Sequence, residues 1–302
     1  MVLVGILVVS VVGFAVVMSP GASSPHAVAT PQVPGSLTHF GHTMIPATIP
    51  GTAGASSAGP FGCPLAAANC YGSYNWGGFV VYDASYVVSK VVGSWTVPAI
   101  TGVAGTTCPD AQKTWESNSV WVGIDGFMDG TVEQTGTSSD CHYGTAHYYA
   151  WYEFYPSGSV SVPFTIKAGD AITASVLYVG HNASGSLFTT TISDKTTGTT
   201  YTSPKTAVPG ADRNSAEWID ESPYYNGYLG LTQVGQIKFT GADATIGGVS
   251  HTISGWGTNV KWLLMVDYNF PYSKTLTYAK AEPSALSSSG NSFTVKWLSY
   301  GP

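Results

Sequence analysis

Charge is what this 302-residue sequence has least of. It carries 11 Lys and Arg and 17 Asp and Glu, 9% of the chain, where about a quarter is usual. So few scattered cations cannot build a phosphate-neutralising stripe, and nucleic-acid binding is excluded. Amphipathic helices are missing too: no long window repeats its apolar residues every 3.6 positions between caps. No Cys-x-x-Cys pair and no His-Glu-x-x-His occurs, so the common zinc signatures are absent, and His142 with His147 is an unsupported metal pair. A Gly-x-Ser-x-Gly elbow is also lacking. Gly136-Thr-Ser138 echoes a serine-nucleophile tripeptide, but Ser139-Asp-Cys-His follows it instead of a helix-forming run. No repeat of fixed period is present, which argues against a propeller or solenoid.

What the chain does have is 36 Gly, 13% aromatic residues and a hydrophobic fraction of 44%. Disordered chains lack such residues, so most of this one folds. Its surface must be hydrated by Ser, Thr, Gly, Asn and Tyr. Net charge is −6 at pH 7, and below the carboxylate pKa values the few Lys, Arg and His leave only modest self-repulsion. The composition reads as that of an exported protein that tolerates acid.

Val2 to Met18 is an apolar run, slightly short for a span of about 20 residues. Ala27-Val28-Ala29 fits a signal-peptidase site, although no Lys or Arg precedes the run. Residues 1–29 are expected to be a signal peptide, with an uncleaved membrane anchor as the alternative. Residues 30–70, rich in Pro, Gly, Ala and Ser, are expected to be a propeptide or linker with no core of its own. The first charged side chain is Asp83. Cys63, Cys70, Cys108 and Cys141 are an even number in an exported chain, and imply two disulfides. Cys63–Cys70 with Cys108–Cys141 is the sequence-nearest of three pairings. Asn182-Ala-Ser184 is a glycosylation sequon.

From residue 71 to 302 short β-branched and aromatic runs alternate with Gly, Asn, Asp, Ser and Pro. Strands are expected at Gly78–Tyr82, Tyr86–Trp95, Ser119–Ile124, His147–Phe154, Ala171–Val179, Leu187–Ser193, Ala216–Ile219, Gln236–Phe239, Lys261–Val266 and Ser292–Leu298. Ten to fourteen strands in one domain suggest an antiparallel sandwich or barrel. Alternation groups the side chains by face. Trp121, Gly123 and Asp125 share one, as do Trp151, Glu153 and Tyr155, and Glu217, Ile219 and Glu221; Gln134 lies opposite Glu133. Several segments thus pair an apolar face with one bearing a carboxylate or amide among aromatics.

The order Asn75-Trp-Gly-Gly78, Trp121-Val-Gly-Ile-Asp-Gly126, Gln134-Thr-Gly136, Ala150-Trp-Tyr-Glu153 with Tyr155-Pro156, and Ala216-Glu-Trp-Ile219 resembles the glutamic peptidases, or eqolisins. The resemblance runs from about Tyr74 onward. It implies an acid-acting secreted endopeptidase, made as a zymogen, with protein or peptide substrates, no cofactor and no metal. It also implies an all-β sandwich of two antiparallel sheets, jelly-roll or concanavalin-like, with a catalytic groove on a concave face. The catalytic pair carried over is Gln134 and Glu217. Trp76, Trp121, Asp125, Trp151, Glu153 and Tyr155 are the implied groove lining. A monomer is the default for such a hydrolase.

The chemistry suits the pair. A carboxylate of ordinary pKa about 4.3 can serve as base and then acid in acidic solution, where a His base would stay protonated. A Gln amide donates to an oxyanion without ionising. Singly, a strand glutamine or glutamate is an ordinary solvated residue; the ordered set of motifs makes the pair. Two rivals stand beside it. A sandwich glycosidase would use Glu153 and Glu217, yet the sequence lacks the Glu-x-Asp-x-x-Glu triplet of such glucanases. A non-catalytic carbohydrate-binding or surface-adhesion domain would bind polysaccharide and cleave nothing.

Overall fold

Strands form wherever β-branched and aromatic residues alternate with small polar ones, a pattern that suits a pleated, half-buried surface. A computed structural model of the chain describes residues 44–46, 62–101, 108, 115–142, 144–225, 227–267 and 279–301. The apolar run, its cleavage site and most of segment 30–70 lie outside these. Twenty strands are described, more than expected, because several are edge pieces of two to four residues such as Thr199–Thr202 and Gly230–Leu231. Gln236–Ile246 continues well past Phe239. The helical pieces described are short 3-10 turns, including Ala67–Asn69 and Ile253–Asn259. No described helix is long and apolar enough to cross a membrane.

Two sheets result. The first runs, strand by strand, Cys70–Ser73, Val260–Val266, Trp76–Tyr82, Ser215–Glu221, Ser119–Ile124, Val132–His142, Thr145–Tyr155 and Val160–Thr165. In the second, Gly185–Asp194, Ala171–Asn182, Val88–Thr96 and Gln236–Ile246 pair in that order. Pairing is antiparallel except where Cys70–Ser73 meets Val260–Val266 and Gly230–Leu231 meets Trp115–Ser117. Ala279–Pro283 and Phe293–Trp297 carry the ladder from the first sheet to the Gln236 end of the second. The sandwich is therefore joined along one side.

Between the sheets lies one large core. Phe79, Val122, Ile124, Trp218 and Trp262 of the first sheet meet Val91, Trp95, Val176, Phe188 and Phe239 of the second. Two indoles tie the sheets across it: Trp218 Nε1 donates to the Val92 carbonyl at 2.8 Å, and Trp95 Nε1 to Thr137 Oγ1 at 2.9 Å. They anchor the strands carrying Glu217 and Gln134. A buried Trp removed to Ala ordinarily costs about 3–5 kcal/mol.

The disulfides are Cys63–Cys70 and Cys108–Cys141, the sequence-nearest pairing. Within segment 30–70 a short strand, Met44–Pro46, does form, pairing antiparallel with Cys70–Ser73 at the sheet edge.

Candidate active site

On the opposite face of the first sheet sits a second cluster: Trp76, Val80, Trp121, Phe127, Val132, Tyr149, Trp151, Ile219 and Leu263. The alternation that sends Ala216 and Trp218 into the main core sends Glu217 and Ile219 here. Gln134 lies on this same face, with Glu153 and Trp151.

Register brings the pair together. Glu217 stands opposite Gly123, Gly123 opposite Gln134, and Gln134 opposite Glu153. One row thus crosses four strands as Glu217, Gly123, Gln134, Glu153. Neighbouring strands lie about 4.8 Å apart, so the backbones of Glu217 and Gln134 are separated by about 10 Å. In the backbone row only a glycine stands between them, and the Trp121 indole packs against it. Two long polar side chains can therefore approach each other across Gly123, beside that indole.

Both residues are fully buried. Gln134 Nε2 donates to Glu153 Oε2 at 2.9 Å, which fixes the amide, while Gln134 Oε1 has no hydrogen-bond partner. Neither carboxyl oxygen of Glu217 has one. Burial pushes Glu217 well above the ordinary glutamate range. The Ser215 hydroxyl on the same face opposes this, and the carboxyls of Asp125, Asp129 and Glu133 add to it. Buried polar atoms without partners are rare and ordinarily mark a functional group or a place for water.

The aromatic residues expected to line a groove converge here. Trp76 and Trp121 meet edge to face with centroids 4.9 Å apart. Trp151 Nε1 donates to Ser138 Oγ at 3.0 Å, and Tyr155 is half-buried at the cluster's edge. Asp125 lies just beyond the Ser119–Ile124 strand. Its two carboxyl oxygens accept the backbone N–H groups of Arg213 and Asn214, each at 2.8 Å, just ahead of the Glu217 strand. Burial, with Asp129 beside it, raises Asp125 to about 7. It braces the end of that strand.

Two residues were given no role by the sequence. Glu221, two positions beyond Ile219, accepts Trp121 Nε1 at 2.7 Å and Asn75 Nδ2 at 3.0 Å. Alternation had placed it on this face, but its partners depend on strand register. Glu133 is fully buried with neither oxygen hydrogen-bonded, and its register neighbours are Ile124 and Phe154 of the main core. Among the described residues no cluster of three His, Cys, Asp or Glu is arranged to hold a metal.

Comparison with known proteins gives this face a context. The sequence matches the peptidase A4 family over residues 74–282. It is 32% identical over 192 residues to Aspergillopepsin-2 of Aspergillus niger, covering 58% of this chain and 66% of that protein. In fold it resembles scytalido-glutamic peptidase, solved with a transition state analog inhibitor, at a TM-score of 0.56 and 22% identity over 74% of this chain and 98% of the other. SCP-B, an eqolisin solved with the tripeptide Ala-Ile-His, gives 0.55 over the same shares, also at 22% identity. With the family match spanning most of the sequence, the chain belongs to the peptidase A4 family, the eqolisins.

Proposed function

We propose that this chain is an exported, acid-acting glutamic endopeptidase whose catalytic pair is Glu217 and Gln134. The observation that carries the reading is the row Glu217, Gly123, Gln134, which sets a partnerless carboxyl and a side-chain amide two strands apart on one face. Glu217, ionised, takes a proton from a water between them. The hydroxyl attacks the peptide carbon and the carbonyl electron pair moves to oxygen. Gln134 has two N–H donors; one is held by Glu153, and the second is the one that would meet the oxyanion once peptide is bound. Such a donor is worth about 3 kcal/mol in the transition state. Glu217 then returns its proton to the leaving nitrogen as the C–N bond breaks.

Burial adds a condition that sequence reasoning lacked. In the closed face Glu217 is neutral in acid, so its base form needs water and peptide to enter and relieve the desolvation. Trp76, Trp121, Trp151, Glu153 and Tyr155 would then line the path of an extended substrate. Two disulfides and low charge support export, because disulfides persist in oxidising compartments.

The test is hydrolysis of a denatured protein from pH 2 to 7, comparing the wild type with Glu217→Gln and Gln134→Ala. Cleavage confined to acid and abolished in Glu217→Gln is the expected result. Near-normal cleavage by folded Glu217→Gln would sink the assignment. No cleavage by the wild type at any pH, together with retention on a polysaccharide column, would turn the reading to a binding domain.

A further inference from the structure

The glycine between Glu217 and Gln134 is not over empty space. A Cβ built on Gly123 would lie 2.8 Å from Cζ3 and 3.3 Å from Cε3 of Trp121. A Cβ on Gly136, directly opposite Trp121 on the next strand, would lie 2.6 Å from the Trp121 Cβ. Both approaches are closer than van der Waals contact allows. Gly123 therefore makes room for the indole, whose benzo edge rests in the row of the catalytic pair, while Gly136 lets its strand approach the Val120–Trp121 backbone closely.

The other end of that indole is tied down. Its Nε1 donates to Glu221 Oε2, whose second oxygen accepts from Asn75 Nδ2. Asn75 lies at the start of the neighbouring segment, where Ser73 Oγ accepts the backbone N–H of Trp76 at 3.1 Å. Trp76 in turn packs edge-on against Trp121. Glu221, Trp121, Asn75 and Trp76 are all fully buried. An indole held by a charge-capable acceptor at one end and by an aromatic edge on its face has little freedom to tilt. Any tilt would swing its benzo edge into, or out of, the gap between Glu217 and Gln134.

We infer that Glu221 is a positioning residue: through Trp121 it sets the width of the gap over Gly123 in which Glu217 and Gln134 meet the scissile bond. The inference rests on the Glu217–Gln134 reading. Glu221 acts through its bond to the Trp121 indole. Its effect is geometric, and misplacement of reacting groups by about 1 Å can cost two orders of magnitude in rate.

The test compares Glu221→Met, which keeps the volume and removes the acceptor, with Glu221→Gln, which keeps one acceptor oxygen. Each is made in the wild type and in Trp121→Phe, whose ring has no N–H. Steady-state kinetics on one peptide substrate are read for folded protein, with Glu217→Gln run in parallel. In Glu221→Met, kcat is expected to fall about 10- to 100-fold with KM within about threefold. Glu221→Gln should recover most of that loss. In the Trp121→Phe background the same substitutions should change kcat by less than about threefold, because the link is already cut. Should Glu221→Met not fold, Asn75→Ala, which removes the second donor on Glu221, takes its place, and the indole N–H resonance of Trp121, assigned by its loss in Trp121→Phe, must move in it along with kcat. An equal loss in both backgrounds, an effect on KM alone, or an unmoved resonance would overturn the inference. Activity retained in Glu217→Gln would instead overturn the catalytic pair, whatever Glu221 does.

Discussion

Asp125 and Arg213, two non-glycine residues in the left-handed region with φ of 66° and 58°, are hydrogen-bonded to each other: Asp125 Oδ2 accepts the Arg213 backbone N–H at 2.8 Å. Non-glycine residues with such φ are costly, at roughly 1–2 kcal/mol each. The surrounding bonds compensate. Asn214 donates to the other oxygen, the Asp125 N–H donates to the Ser215 carbonyl at 3.2 Å, and the Arg213 guanidinium sits 3.7 Å over the Tyr178 ring. The strand that carries Glu217 begins at Ser215, so its entrance is fixed by an aspartate 88 residues before Arg213 in the sequence.

Asp125→Ala should therefore destabilise the fold by about 3 kcal/mol, since the buried Asn214 N–H and the part-buried Arg213 N–H lose their acceptor. Asn should recover only part of this, because its amide nitrogen would face one of those donors. At position 213, Gly should be more stable than Ala by about 1 kcal/mol, as only Gly adopts positive φ freely. Urea unfolding of the variants checks both. Equal stability of the Gly and Ala proteins would mean that the backbone relaxes there.

Glu133 sets a pH dependence of its own. It is fully buried, without a hydrogen bond, among Ile124 and Phe154, with the carboxyls of Asp125 and Asp129 and the Thr131 hydroxyl as its polar surroundings. Burial first, then those two carboxyls, hold it well above the ordinary glutamate range. A raised pKa means that the folded state keeps a proton that the unfolded chain releases. The stabilising contribution is complete below the unfolded value of about 4.3, and is lost as pH rises toward the folded value. Asp129 and Asp140, raised to about 6, and Asp220, raised to about 7, act with the same sign. The wild type should thus be most stable near pH 3 to 4 and weaken toward pH 7. Glu133→Leu should gain on it by up to about 1.4 kcal/mol per pH unit above 4.3. Urea unfolding at pH 3, 5 and 7 reads this directly, and a difference that stays constant across the series would contradict it.

How far the sequence carried the site is visible in these residues. Alternation grouped Glu153 with Trp151 and Glu217 with Ile219, and set Gln134 opposite Glu133, because side-chain direction in a strand is a local property. It could not place Glu217 opposite Gly123, since that register joins segments far apart in sequence. The Asn75–Glu221–Trp121 link stayed hidden for the same reason. Strand ends were misjudged where irregularities intervene: the strand from Gln236 was expected to stop at Phe239, but its ladder shifts register between Thr240 and Asp243, around Gly241 at φ 57°, and continues to Ile246. Full burial of the pair was not legible either, because covering a face is a tertiary event.

Gly123 offers a test of the row itself. An added methyl would meet Trp121 at 2.8 Å and the Glu133 carbonyl at 3.4 Å. The indole must shift, and the methyl would stand between Glu217 and Gln134. Overpacking of this kind costs about 1–3 kcal/mol, so Gly123→Ala should still fold. Its kcat/KM should nevertheless fall at least about 10-fold, since reacting groups tolerate little displacement. Wild-type activity in a folded Gly123→Ala protein would show that the pair does not work across this residue.

Glu153 should matter through Gln134. Its Oε2 accepts from Gln134 Nε2 at 2.9 Å from the directly opposite register position. That bond decides which way the amide points, and so which atom faces the gap toward Glu217. Without an acceptor the amide is free to rotate, and on the proposed mechanism its remaining donor would no longer be held for the oxyanion. Glu153→Ala should lower kcat by about 10-fold, less than the 10²- to 10³-fold ordinarily lost with an oxyanion donor itself. Glu153→Gln, which can still accept through its oxygen, should lie near the wild type. In a Gln134→Ala background, Glu153→Ala should add nothing, because the group it orients is gone. A further loss there would mean that Glu153 meets the substrate on its own account, as a wall of the groove, and the split between kcat and KM in the single variant would tell the two roles apart.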